Sequence, residues 1–236
     1  MYERPETADA IAQLWSNLQT HIGREAQFKS NTHGLAHWRD PDLLISQTCG
    51  MPYRLHLHGQ VHLVGTPVST LGDPRGYYHS VIIARQDDPR DSFAEFEGAV
   101  LAYNDAISQS GWAAPQNMAR SQGFGFSNLL ETGGHRASSQ AVATGKAELA
   151  AIDAVTWSLI TRFDPWADRL KVIDRTPPTP ALPFITSRIE LAEPLYEAMA
   201  TAIDELCQDN QALLCLKGIT QIAAEDYLAV PSPPLP

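Results

Sequence analysis

Apolar positions along the chain follow a helical period in some stretches and short extended runs in others. That alternation predicts an α/β architecture. Over 6–22, Ile11, Trp15, Leu18 and Ile22 fall on one helical face. Glu3, Glu6 and Asp9 sit near its start, where the helix dipole favours negative charge. Apolar runs at 42–46, 61–67, 78–84 and 100–104 then read as strands. Turns at 47–50 and 108–111 lead into helix starts. A short helix is predicted over 92–97. Further helices are predicted over 137–144 and over 155–163, where Val155, Leu159 and Phe163 are spaced for burial. Residues 149–153 read as a strand end and 184–186 as a resumed strand, and Leu195, Met199, Ala202 and Leu206 mark a last amphipathic helix. Prolines fix φ through 176–183 and predict an extended crossing segment. Residues 231–236, also Pro-rich, read as an extended or disordered end.

Segments 78–84 and 176–186 read as two crossings between lobes. The expected division places 1–80 and 182–236 in one lobe and 81–181 in the other. Two crossings make a hinge, and hinge closure around a ligand is a common mode of motion.

Composition narrows the function classes. The 236 residues are 44% hydrophobic and only 19% charged, with a net charge of −10. An acidic balance argues against a nucleic-acid or anionic membrane surface. It also repels anionic ligands at long range, but salt screens that field beyond about 8 Å, so local dipoles can prevail inside a pocket. No apolar run approaches the roughly 18 residues of a membrane span. No cationic start followed by an apolar stretch marks a signal peptide. Three cysteines, Cys49, Cys207 and Cys215, give no disulfide framework. Cys207 and Cys215 either pair or remain two buried thiols.

Three junctions carry the candidate chemistry: 101–111, Gly133-Gly-His-Arg136 and Ala150-Ala-Ile-Asp153. Each brings hydroxyls, an imidazole or a carboxylate to the start of a predicted helix. Together they suggest a pocket for a small tetrahedral anion, because helix N-termini present backbone N–H groups. Ser108, Gln109 and Ser110 either cradle oxyanion oxygens or serve as an ordinary N-cap. His135 either donates to an anion or is an idle loop residue. Asp153 either caps a helix or accepts a hydrogen bond from a protonated ligand oxygen or a ligand ammonium. In the second case it would reject sulfate, which carries no proton at neutral pH. Arg136 either assists the anion or points to solvent. Ser108 or Ser110 with His135 and Asp153 also invites a hydrolase reading, but no G-x-S-x-G surrounds either serine. His56, His58 and His62 share a face if extended, a zinc-like spacing with no acidic or Cys residue nearby in sequence. The segment 123–128 lacks the third glycine of a dinucleotide loop.

Asp42-Leu-Leu-Ile-Ser-Gln-Thr-Cys-Gly-Met-Pro52, Asn104-Asp-Ala-Ile-Ser-Gln-Ser-Gly111, Gly134-His-Arg-Ala-Ser138, Ala150-Ala-Ile-Asp-Ala-Val-Thr-Trp157 and Thr179-Pro-Ala-Leu-Pro-Phe-Ile-Thr186 keep one order along the chain. In these motifs the chain resembles the phosphate/phosphonate-binding proteins of ABC transporters, which are type 2 periplasmic binding proteins. The resemblance implies two α/β lobes with a ligand cleft between them. It implies contacts from Ser108, Gln109, Ser110, His135 and Asp153, from an aromatic at Tyr78 or Tyr77, and from the 47–49 turn through Thr48. It implies a phosphorus oxyanion as ligand, a permease as partner, a periplasmic location and a monomer. It calls for no catalytic residue, metal, cofactor, nucleic acid or membrane insertion. A cytosolic ligand sensor on the same scaffold is the alternative. Two departures stand out. The family's opening strand should already have ended where Met1-Tyr2 begins, so either the start lies upstream or the first lobe lacks that strand. The usual Ser-Thr-Ser is Ser108-Gln-Ser here, which alters one side of the pocket.

Overall fold

The computed structural model describes residues 2–23, 26–29 and 34–236. The strands in chain order are β1 Ser46–Gln47, β2 His62–Ser69, β3 Tyr77–Tyr78, β4 Ser80–Arg85, β5 Leu101–Tyr103, β6 Leu129–Glu131, β7 Leu149–Asp153, β8 Leu170–Arg175, β9 Thr179–Pro180, β10 Phe184–Thr186 and β11 Leu216–Thr220. The α-helices are α1 Ala8–Ile22, α2 Leu35–Trp38, α3 Gly50–Pro52, α4 Ala114–Ser121, α5 His135–Ala143, α6 Ala154–Phe163, α7 Ala192–Asp204, α8 Gln208–Leu213 and α9 Ala224–Leu228. Two π-helical turns, Tyr53–Leu57 and Gln109–Ala113, interrupt the regular elements. The chain divides into two compact units, Met1–Tyr77 with Pro180–Ala229, and Tyr78–Thr179 with Val230–Pro236.

The first unit is an antiparallel sheet in the order β1-β10-β2-β11, covered by helices. Successive residues of β10 divide between two cores, as the pleat requires. Phe184 joins Leu18, Met199, Ala202, Ile203 and Ile219 beneath α1 and α7, and Ile185 joins Trp38, Tyr53, Leu57 and Tyr227. The α1 stripe runs through Ala10 and Leu18, with Leu14, Trp15 and Ile22 packed beside it, and Gly23 ends the helix at φ 61°. Tyr227 is anchored twice: its hydroxyl donates to the Ala181 carbonyl at 2.9 Å and meets the Thr66 hydroxyl at 2.6 Å. Gly65 of β2 has no room for a side chain. A Cβ there would lie 2.7 Å from Ile219 Cδ1 and 2.9 Å from Tyr196 Cδ2. Gly65→Ala should therefore overpack this core and lower stability by about 1–3 kcal/mol. A fall in the urea midpoint at unchanged slope is the expected reading.

The second unit is a five-stranded sheet in the order β6-β5-β7-β4-β8. β6, β5 and β7 are parallel, and β4 runs antiparallel to both its neighbours. Every residue of β7 is buried, as befits a parallel strand covered on both faces. Ile83, Ala102, Val142, Ala150, Ile152 and Ile160 belong to its core. The three parallel strands end at Tyr103, Glu131 and Asp153, and Ser80, which opens β4, lies opposite Asp153 in register. This carboxyl edge is where open α/β sheets collect ligands.

Several expectations are corrected. The strand predicted over 42–46 shrinks to β1, and Leu43 is core instead. β6 and β11 carry no clean alternation, since each is three or five residues long and interrupted by charge or glycine. The segment holding His56 coils into a π-turn that His58 ends, so His56, His58 and His62 share no extended face. Among the described residues no group of His, Cys, Asp and Glu is arranged to hold a metal. All three cysteines are free thiols, and Cys207 is exposed rather than buried. Phe124 and Phe126, in the glycine-flanked segment, pack with Phe93 as an aromatic cluster. Residues 230–236, expected with the first unit, make their contacts in the second. The expectation about the start rests partly on Met1, which lies outside the described residues.

Candidate anion-binding site

Beyond β5 the chain folds back into the π-turn Gln109–Ala113. Asp105 shapes the approach, its carboxylate accepting from Ile107 N at 2.8 Å and its carbonyl from Ser108 N at 3.1 Å. Ser108 caps the turn: its hydroxyl accepts from Gly111 N at 3.0 Å, and its carbonyl accepts from Ala113 N at 2.9 Å. That wide five-residue closure is the π geometry, which recurs at functional sites. Pro115, which has no N–H to donate, lies in the first turn of α4, directly after the π-turn, whose last bond runs from Ala114 N to the Gln109 carbonyl.

The Ser110 hydroxyl lies 2.8 Å from His135 Nε2 and 3.5 Å from the Ser108 hydroxyl. Its carbonyl accepts from the Ser80 hydroxyl at 3.0 Å, which ties the turn to β4. Thr176 fixes Ser80 in turn through paired bonds of 2.9 Å. Gly111 makes the closure possible. A Cβ there would strike the Asn104 side chain, and it would sit 3.1 Å from His135 Cε1. Ser108, Gln109 and Ser110 are all buried.

Asp153 ends β7 and caps α6. Its Oδ1 accepts from Val155 N at 2.8 Å and Thr156 N at 3.0 Å, and the residue is only 2% exposed. His135 opens α5, half-buried. Burial pushes its imidazole below the ordinary histidine range, against the opposing pull of the Asp153 carboxylate and the Ala151 backbone. The ring is therefore neutral at pH 7. A depressed folded-state value means that the unfolded chain takes up the proton first as pH falls. The stability linked to His135 is thus complete above about pH 6.5, the unperturbed value. It is lost as pH drops from there through the folded-state value. Denaturant unfolding at pH 7.5 and 5.5 should show this slope, and His135→Gln should flatten it.

Arg136 pairs with Asp164 through bonds of 2.7 and 2.8 Å and covers the Trp166 ring, so it supports the fold. Of the predicted residues, Ser108, Gln109, Ser110, His135 and Asp153 meet at the carboxyl edge of the second unit. Tyr78 opens that unit, buried, two residues before Ser80. Thr48 stands in the first unit. It is fully buried, its N–H donates to the Pro183 carbonyl at 3.0 Å, and its hydroxyl has no partner among the described residues. The hydrolase arrangement is incomplete: Ser110 and His135 are bonded, but the bonds of Asp153 Oδ1 go to its own helix. Sequence reasoning missed Ser80, a polar residue heading the apolar run Val81–Ala84, and the spacing role of Gly111.

With this geometry in view, the chain can be set beside known proteins. Residues 1–227 match the family model described as the periplasmic phosphonate substrate-binding protein of ABC transporters. The chain belongs to the periplasmic phosphonate-binding family of ABC transporters. Among solved structures, it is similar to the binding-protein component of a phosphonate ABC transporter from Pseudomonas aeruginosa, at 18% identity and TM-score 0.73. That match covers 95% of this chain and 80% of the other. PhnD1 from Prochlorococcus marinus, solved with methylphosphonate, matches at 14% identity and TM-score 0.76, over 95% of this chain and 91% of that one. A histidine kinase sensor domain matches at 16% identity and TM-score 0.60, over 90% of this chain and 87% of that one. A comparison with curated proteins gives no match. Phosphonate-binding proteins are transport components, and among the described residues no helix is long and apolar enough to cross a membrane.

Proposed function

We propose that this chain is a periplasmic receptor that captures a small phosphorus oxyanion and delivers it to an ABC permease, without chemical turnover and as a monomer. The observation that carries the reading is the capped π-turn whose Ser110 meets His135 at 2.8 Å, at the carboxyl edge of a sheet, in a phosphonate-binding family member. Hydroxyls and backbone N–H groups supply donors to the anion. A half-buried site strengthens such charge-assisted bonds. The relative solved with methylphosphonate supports the ligand class. Gln109 and Tyr78 are proposed to line the same site, and Thr48, with its unused hydroxyl, is proposed as the first unit's contact. The crossings at 77/78 and 179/180 are the proposed hinge. Asp153 is proposed to accept a hydrogen bond from a protonated oxygen of the ligand, so that a protonated phosphorus oxyanion binds and sulfate does not.

Calorimetric titration with phosphate, phosphite, methylphosphonate, 2-aminoethylphosphonate and sulfate tests this. Saturable one-to-one binding of at least one phosphorus compound is expected, with sulfate silent. Silence across the panel from a folded chain, or preferred sulfate binding, would overturn the reading.

A further inference from the structure

The Pro-rich segment Val230–Pro236 was expected to trail away, yet it is docked on the second unit. Two bonds hold it. Trp112 Nε1 donates to the Pro234 carbonyl at 3.2 Å, and Asn117 Nδ2 donates to the Pro231 carbonyl at 2.8 Å. Pro233 between them is buried. Trp112 belongs to the π-turn Gln109–Ala113, two residues after Ser110. Its ring lies 5.2 Å from Tyr103, the last residue of β5, and only 3% of it is exposed. A buried indole N–H needs an acceptor, and here the acceptor comes from the docked segment. The prolines restrict the segment before it docks, so docking loses little chain entropy.

We propose that Val230–Pro236 is a strap whose grip on Trp112 positions the π-turn carrying Ser108, Gln109 and Ser110. Trp112 is a positioning residue, because its ring is committed to Tyr103 and its N–H to the strap. The strap leaves the first unit just after Tyr227, which Thr66 and Ala181 hold in place. It is therefore a third covalent passage between the units, and it runs beside the turn that carries Ser110.

Two variants test this: the chain without residues 231–236, and Trp112→Phe, which keeps an aromatic ring but removes the donor. Hydrogen exchange is measured without ligand at the Gly111 and Ala113 amides, whose acceptors are the Ser108 hydroxyl and carbonyl. Both variants should speed exchange there at least tenfold, while amides of Leu149–Asp153 keep their protection. Combining the two changes should add nothing further. Methylphosphonate affinity should fall several-fold in the shortened chain; this arm rests on the proposed function. Unchanged exchange at Gly111 and Ala113 in the shortened chain overturns the strap, even where methylphosphonate binds. Faster exchange in a chain that binds none of the oxyanions sustains the strap and discards the ligand reading instead.

Discussion

Asp153→Asn should leave the fold as stable as before and still weaken methylphosphonate binding at least tenfold, while letting sulfate bind. Asparagine caps a helix as well as aspartate does. The bonds from Val155 N and Thr156 N to the side-chain oxygen survive the change. What disappears is the charge that repels an unprotonated anion. Asp153→Ala removes the cap as well, at about 1 kcal/mol, and should lower both the melting temperature and the affinity. Calorimetry and thermal unfolding on the two variants separate the helix-capping role from the ligand role. Equal affinity in the wild-type and Asn forms would confine Asp153 to capping.

Ser110→Ala and His135→Ala should each weaken methylphosphonate binding by about 10- to 100-fold. That is the value of one hydrogen bond to a charged group, about 1.5–3 kcal/mol. The two side chains share one bond of 2.8 Å, so removing either disorders the other. The double variant should then bind little worse than the poorer single one, a coupling that a double-mutant cycle reads directly. Strict additivity would mean that the two act on the ligand independently, or not at all.

The second unit was the more legible half. Leu149–Asp153 is apolar and ends in a carboxylate, so both its burial and the position of Asp153 at the strand end follow from pattern alone. Ser108 could be read as a cap, and it is one, for Gly111. What pattern could not show is that the turn after it would close as a π-helix. The close approach of Gly111 to Asn104 and His135 is a tertiary fit with no local signal. Ser80 escaped for the same reason: its partner, the Ser110 carbonyl, is thirty residues away. In the first unit, the extended reading of residues around His56 failed because Tyr53 and Leu57 are buried together, which winds the segment into a turn. β11 was hidden because Lys217 and Gly218 break the alternation, while its pairing with β2 supplies the order that its own residues do not. The docking of 230–236 depends on two donors, Trp112 and Asn117, that lie more than a hundred residues upstream.

The most direct test watches the imidazole itself. Protein labelled with nitrogen-15 in its histidine rings is titrated with methylphosphonate, and the His135 signals are assigned by their loss in His135→Gln. A saturable one-to-one shift of the His135 ring resonances, with the other histidine rings unmoved, is the predicted result. A ligand that binds tightly by calorimetry yet leaves the His135 ring unshifted would contradict the placement of the site at Ser108–Ser110, His135 and Asp153.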